Sequence, residues 1–200
     1  MSQTYFIYDE QALAYLRKKD KKLGALIDSI GIIKRPVNPD PFSALIESVV
    51  AQQISTKAAA TVFAKLNTLC QITPSKLNAL TIEAIQSCGM SMRKAGYIKN
   101  IAEAAENYID FTTLTEKSDQ EIIKSLTAIK GVGLWTVEML LIFSLMRPNV
   151  VSYGDLIIRR SIMRLYGLKE LSKERFDRYA KRYAPYGSVA SLYLWAMVNI

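Results

Sequence analysis

One aspartate and a pair of glycines are the residues of this chain whose types and spacing could do chemistry. Gly131-Val132-Gly133 interrupts a helical pattern, and Asp155 follows 22 positions after Gly133, set between Gly154 and Leu156 in an apolar and aromatic neighbourhood. Glycine lets the backbone turn tightly at positive φ and brings amides close to a docked group, because no Cβ intervenes. Gly131 and Gly133 are both expected to turn in this way. The next helix, expected over residues 133 to 146, then begins with exposed N–H groups at the positive end of its dipole. A phosphate is held there without any side-chain charge. Two glycines also suit an ordinary helix-helix turn, and Asp155 also suits the N-cap of a helix over residues 156 to 165. Cap and catalytic group are compatible roles, since a cap position fixes the carboxylate's direction.

Absences narrow the chemistry. The chain has no histidine, which excludes the usual neutral-pH general base and any Ser-His or Cys-His nucleophile. No Asp, Glu and Cys grouping has the spacing of a catalytic metal site. Cys70 and Cys88 are two thiols in a chain with no export signal, so free thiols in a reducing cytosol are expected. Two cysteines cannot ligate a four-cysteine iron–sulfur cluster.

The elements that must position these residues are helices. Apolar residues recur at three- and four-residue spacing in Leu13, Leu16, Leu23, Ile27 and Ile30, in Phe42, Leu45, Ile46, Val49 and Val50, and in Ile98, Ile101, Ala102, Ala105 and Ile109. Period-two alternation is absent. Asp40-Pro41, Ser91 and the Ser118 to Glu121 capping-box spacing mark helix starts. About ten helices joined by short loops are expected, with no repeat, low-complexity tract or long linker. Half of the 200 residues are apolar, enough for a sizeable core. No run reaches the roughly 18 uninterrupted apolar residues of a membrane span.

The hairpin and the residues after it resemble the helix-hairpin-helix DNA glycosylase superfamily, whose signature is Leu-x-x-(Ile/Leu)-x-Gly-(Val/Ile)-Gly and, further on, an invariant aspartate. Leu126, Ile129, Gly131, Val132 and Gly133 match the hairpin, and Asp155 matches the aspartate. Within the superfamily the chain most resembles the 3-methyladenine DNA glycosylase II branch, which carries Gly-x-Trp-Thr as Gly133-Leu134-Trp135-Thr136 does. Phe42 to Leu66, with Ala51-Gln52-Gln53-Ile54-Ser55, looks like that branch's early helix pair, and Tyr183 to Trp195 looks like its closing helix. The resemblance implies an all-α fold of two lobes without an iron–sulfur cluster. One lobe spans residues 38–150 and holds the hairpin at 120–146; residues 1–37 with 151–200 form the other, and Asp155 lies in the cleft between them.

The implied activity is hydrolysis of the N-glycosidic bond of flipped-out alkylated purines, of the 3-methyladenine and 7-methylguanine type, in base excision repair. Ordinary glycosidases pair two carboxyl groups because the leaving oxygen must be protonated. An N3- or N7-alkylated purine already carries positive charge and departs as a neutral base without an acid. Asp155 then need only stabilise the oxocarbenium-like sugar, or orient and deprotonate water. The flipped base needs a pocket, for which Trp135, Tyr153, Tyr186 and Trp195 are the aromatic candidates, with Met139 and Leu156 standing where relatives carry aromatic residues. Electron-rich faces attract a cationic base by about 0.5 to 2 kcal/mol, although aromatic residues at helical spacing are also ordinary core. Bifunctional relatives place a Schiff-base lysine where Trp135 stands, so the resemblance implies an enzyme without lyase activity. Gln53 corresponds to the residue that plugs the emptied stack. Lys130, Gly131, Val132, Gly133, Thr136 and Arg159 are the further DNA-binding candidates. The carbonyls of Thr127, Ile129 and Gly131 correspond to positions that hold a Na or K ion in the family; no other cofactor is implied.

The net charge of +8 is unevenly placed. Residues 1 to 35 carry seven Lys/Arg against four Asp/Glu, residues 36 to 146 nine against ten, and residues 147 to 182 ten against four. A polyanion at the hairpin could also meet Arg159, Arg160 and Arg164, whereas Arg17 to Lys22 and Lys173 to Arg182 also suit merely solvated faces. The implied partner is double-stranded DNA with damaged bases, with no membrane and no obligatory protein partner. The implied location is cytoplasmic, at the nucleoid of a bacterium or in the nucleus of a eukaryote. Two alternatives share the sequence features: a helix-hairpin-helix DNA-binding module without catalysis, and a glycosylase for a neutral base such as uracil or hypoxanthine.

Overall fold

Short polar residues one position before apolar runs start most of the helices. The structure, a computed structural model, describes residues 3–199. These form twelve α-helices, two 3-10 segments and one antiparallel ribbon pairing β1 (Thr4–Tyr5) with β2 (Pro36–Val37). The helices exceed the expected ten because pieces as short as Pro74–Ala79 and Ile82–Gln86 contain too few turns for apolar periodicity to register. The ribbon is likewise too short to show alternation. No helix among the described residues is long and apolar enough to cross a membrane. The chain divides into two compact units, one of Asn38–Leu145 and one made from the segments up to Val37 and from Met146 onward.

In Asn38–Leu145 the central helix is α3 (Pro41–Ala51), which buries Phe42, Ala44, Leu45, Ile46, Val49 and Val50. Asp40 caps it by accepting the Phe42 and Ser43 amides, and Pro41 occupies the first turn, where a missing N–H is no loss. Around α3 pack α4 (Thr56–Leu69), α7 (Met92–Asn107) and α9 (Leu134–Phe143). The short helices Pro74–Ala79 and Ile82–Gln86, here α5 and α6, lie on α7. A full capping box between Ser118 and Glu121 starts α8 (Asp119–Thr127), which packs on α9. α9 ends at Phe143 rather than at the expected 146, and Met146 takes a left-handed φ of +50°.

In the other unit the core helix is α12 (Gly187–Ala196), buried from Gly187 through Leu194. α1 (Glu10–Lys19), α2 (Lys21–Ile30), α10 (Leu156–Tyr166) and α11 (Lys173–Tyr183) all contact it. Tyr193 is fully buried and donates its hydroxyl to Gly31 O at 2.8 Å. Asp20, 4% exposed, ties three of the helices together. It caps α2 through the Lys22 and Leu23 amides and accepts the Tyr166 hydroxyl and the Arg182 guanidinium at 2.7 Å each.

Burial by itself raises the Asp20 carboxyl, but the Leu23 amide, the Tyr166 hydroxyl and Arg182 together hold it below the ordinary carboxylate value. A group depressed in the folded state stabilises above its unfolded pKa of about 3.9 and loses that contribution as pH falls through the lower folded value. Asp20→Ala should therefore lower the unfolding free energy by about 2 kcal/mol at neutral pH, since it strands two amides, a hydroxyl and a half-exposed arginine. The gap from the parent should narrow below about pH 4; urea denaturation at both pH values checks this.

Candidate functional site

The two glycines of the hairpin do different work. Gly131 sits at φ +103°, and a Cβ there would lie 2.1 Å from Tyr97 Cγ. Glycine is required at that position by both conformation and space. Gly133, expected to turn in the same way, is instead extended, at φ −94° and ψ 168°, as the N-cap of α9. A Cβ on it would meet nothing within 4 Å. No side chain caps α9, so its positive end opens at an exposed glycine whose surroundings leave room for a docked group.

The turn is braced from behind by residues on other helices. Gln52 Nε2, at the end of α3, donates to Gly131 O at 3.3 Å and to Thr136 Oγ1 at 3.0 Å. On α7, Lys94 Nζ donates to Val50 O and Gln52 O at 2.8 and 2.5 Å, and Asn100 Nδ2 to Lys130 O at 3.1 Å. Lys94, Tyr97 and Asn100 recur every third residue, so one face of α7 supports the hairpin. Burial lowers the Lys94 ammonium pKa. Sequence reasoning missed Gln52, Lys94 and Asn100; the three-residue spacing of polar groups within an amphipathic helix was the signal for the last two.

Two expected DNA contacts need correction. Thr136 is 2% exposed and its hydroxyl is engaged by Gln52, so its side chain is internal. Val132 is buried and donates its amide to Ile129 O at 3.0 Å, so it closes the turn. Trp135 is half-buried, and Met139 lies in the core of its unit. Lys130 and Gln53 are exposed. Gln53 takes a left-handed φ of +58°, uncommon for a residue with a Cβ and of the kind that collects at ligand-contacting positions.

Asp155 caps α10 through a 2.9 Å bond from the Ile158 amide and is 7% exposed. The strap leading to it is stitched onto the start of α12. Ser188 Oγ donates to Arg147 O at 2.5 Å and accepts the Val150 amide at 2.9 Å, while Ser191 Oγ donates to Val150 O at 3.0 Å. A Cβ at Gly187 would lie 2.8 Å from both Asn149 Oδ1 and Val151 Cγ2. These serines and this glycine gave no sequence signal, since their partners are some forty positions away in the chain.

Among the aromatic candidates in this unit, Tyr153 packs edge-on to Phe176, with centroids 5.1 Å apart. Arg159 and Lys173 already face its ring, at 5.2 and 5.5 Å. Its place beside Asp155 is therefore that of a support for cations, and not of an open stacking face. Tyr186 packs edge-on to Tyr15 at 5.3 Å, Trp195 is half-buried, and Leu156 is 49% exposed. Among the described residues, no group of three or more Cys, Asp or Glu side chains is placed to hold a metal ion.

Residues 46–185 match the HhH-GPD superfamily of base excision DNA repair proteins. The chain belongs to that superfamily. It is 34% identical over 190 residues to DNA-3-methyladenine glycosylase 1 of Schizosaccharomyces pombe, covering 92% of this chain and 83% of that protein. The crystal structure of a DNA-3-methyladenine glycosidase from Bacillus halodurans superposes with a TM-score of 0.83 at 37% identity, covering 96% of this chain and 91% of that one. A 3-methyladenine DNA glycosylase of Schizosaccharomyces pombe in complex with abasic DNA gives 0.82 at 32% identity, covering 95% and 97%.

The unequal glycines of this superfamily hairpin make a prediction about folding alone. Gly131→Ala should destabilise the protein by about 2 to 4 kcal/mol, from a disfavoured φ and a backbone-adjacent clash. Gly133→Ala should leave stability within about 0.5 kcal/mol. Equilibrium denaturation of both variants checks the contrast.

Proposed function

We propose that this chain is a monofunctional DNA glycosylase that hydrolyses the N-glycosidic bond of alkylated purines, with Asp155 as its catalytic residue. The observation that carries the reading is a buried carboxylate, aimed by its own helix cap, in a chain that has no histidine. Support for the substrate class comes from the relatives, which are named as 3-methyladenine glycosylases over nearly the whole length of this chain. A cationic purine leaves without protonation, so one carboxylate can serve. It stabilises the oxocarbenium-like sugar as the bond to the base breaks and then orients the water that adds to the anomeric carbon.

The remaining residues divide into grip, plug and pocket. The exposed backbone at Gly133 and the start of α9 receives a phosphate, with Lys130 beside it. Arg159, held over Tyr153, supplies a second cation one helical turn from Asp155. Gln53, exposed and left-handed, fills the gap left by the extruded base. Trp135 and Trp195 are each aromatic candidates for the cationic base, and an indole at 135 provides no amine for a Schiff base. The carbonyls of Thr127, Ile129 and Gly131 are neutral oxygen donors that suit a monovalent cation. Those of Ile129 and Gly131 each accept one hydrogen bond and keep a second lone pair.

Asp155→Asn tests the assignment cleanly, because asparagine caps a helix as well as aspartate does. Release of 3-methyladenine or 7-methylguanine from duplex DNA should fall on the order of a thousandfold, with duplex affinity retained. Excision of only uracil, hypoxanthine or 8-oxoguanine by the parent protein would overturn the substrate class. A borohydride-trapped covalent complex would overturn the monofunctional mechanism.

A further inference from the structure

The N-terminal arm and α11 carry most of the chain's excess positive charge, and the functions assigned so far use neither. On α11, Arg175, Arg178, Tyr179 and Arg182 line a recess of about 260 Å³. Arg175 and Arg178 are exposed, and neither has an acidic partner among the described residues. The helix's own carboxylates are engaged elsewhere, Asp177 by Lys173 at 2.6 Å and Glu174 by Ser172.

The recess is built on a fixed floor. Tyr179 stacks on Tyr166 with centroids 4.1 Å apart, the Arg182 guanidinium lies 5.3 Å over Tyr179, and Lys22 Nζ lies 5.8 Å over Tyr166. The buried Asp20 holds both Arg182 and the Tyr166 hydroxyl. Arg182 and Lys22 are thereby set on one continuous aromatic base, with the exposed Lys18, Lys19 and Lys21 on the same α1–α2 junction. Asp20 neutralises one cation of this group and leaves the rest uncompensated.

We infer that this face, centred on Arg175 and Arg178, is a second DNA-contacting surface that binds duplex phosphates without regard to sequence or damage. The inference rests on the reading of this chain as a DNA repair protein, but not on Asp155 or on the lesion it recognises. Guanidinium groups spaced along a helix face suit the regular phosphates of a duplex, because each fork can take two phosphate oxygens. Such contacts release counterions, so their affinity falls steeply with salt. An enzyme that must scan undamaged DNA gains a loose, mobile attachment from a surface of this kind.

The test is the binding of a lesion-free duplex, followed by fluorescence anisotropy from about 50 to 200 mM salt. Arg175→Gln/Arg178→Gln should make the plot of log affinity against log salt shallower by about 1 to 2, while base release at saturating DNA and the circular dichroism spectrum stay as in the parent. Lys65→Gln/Lys76→Gln removes the same charge from the other unit and should leave the slope unchanged. An unchanged slope in the arginine variant, or an equal change in the lysine variant, overturns the proposal. So does an arginine variant that loses binding to phosphatidylserine vesicles while its DNA slope is intact, since the surface would then serve a membrane. If the parent binds duplex with the expected slope, reduced in the arginine variant, but releases no base, the glycosylase reading fails and this surface stands.

Discussion

The bond from the Ile158 amide to the Asp155 carboxylate is the constraint around which the C-terminal part of the chain is arranged. An aspartate at an N-cap has its direction set by the helix that it starts, so the question becomes what fixes that helix and the strap before it. α10 is held by packing on α12, and the strap is held by hydroxyls at the start of the same helix. One buried helix thus anchors both sides of the carboxylate. Because Gly187 through Leu194 are buried, α12 has little freedom to shift, and the carboxylate inherits that rigidity.

The hairpin obeys the opposite logic. There the exposed surface is backbone, which cannot be re-aimed by a rotamer, so its geometry depends on how firmly the turn is held from behind. Gln52 is the pivotal side chain. Its amide nitrogen reaches the Gly131 carbonyl and the Thr136 hydroxyl, while Lys94 grips the Gln52 carbonyl. The end of α3, where Gln53 emerges with left-handed backbone, is therefore coupled to the turn proposed to receive phosphate. A polar network of this kind stabilises only when every member is satisfied, which accounts for a buried threonine at a position that the signature presents as part of the grip.

What could be read in the sequence was local. Asp40-Pro41, Ser91 and the Ser118–Glu121 pair start helices because a cap acts within one turn. Gly131 was legible for the same reason. Gly133 was not, since its glycine serves empty space instead of a positive φ, and a one-dimensional pattern cannot separate the two. Thr136, Ser188, Gly187 and Asp20 were also illegible in their structural roles, because each is defined by a partner far away in the chain. Tyr153 shows the converse: its type suggested a stacking face, and only the positions of Arg159 and Lys173 reveal that cations occupy it.

Two kinds of positive surface therefore coexist on this protein, and their physics differs. At Gly133 the charge is the partial charge of a helix end, fixed in direction and felt within about one turn. A charge of this kind can position a phosphate but adds little long-range attraction. On α11 and the α1–α2 junction the charges are whole, carried on flexible arms and felt to about 8 to 10 Å at physiological salt. Charges of this kind attract a polyanion but fix no register. Under the proposed function, a protein that must both travel along undamaged DNA and stop with a single nucleotide aimed at one carboxylate needs each kind, and it cannot obtain both from the same residues. Side chains strong enough to hold the duplex at every position would impede its movement, whereas amides alone would seldom meet it. On that reading, the division of labour between a backbone grip and an arginine-rich face follows from that conflict.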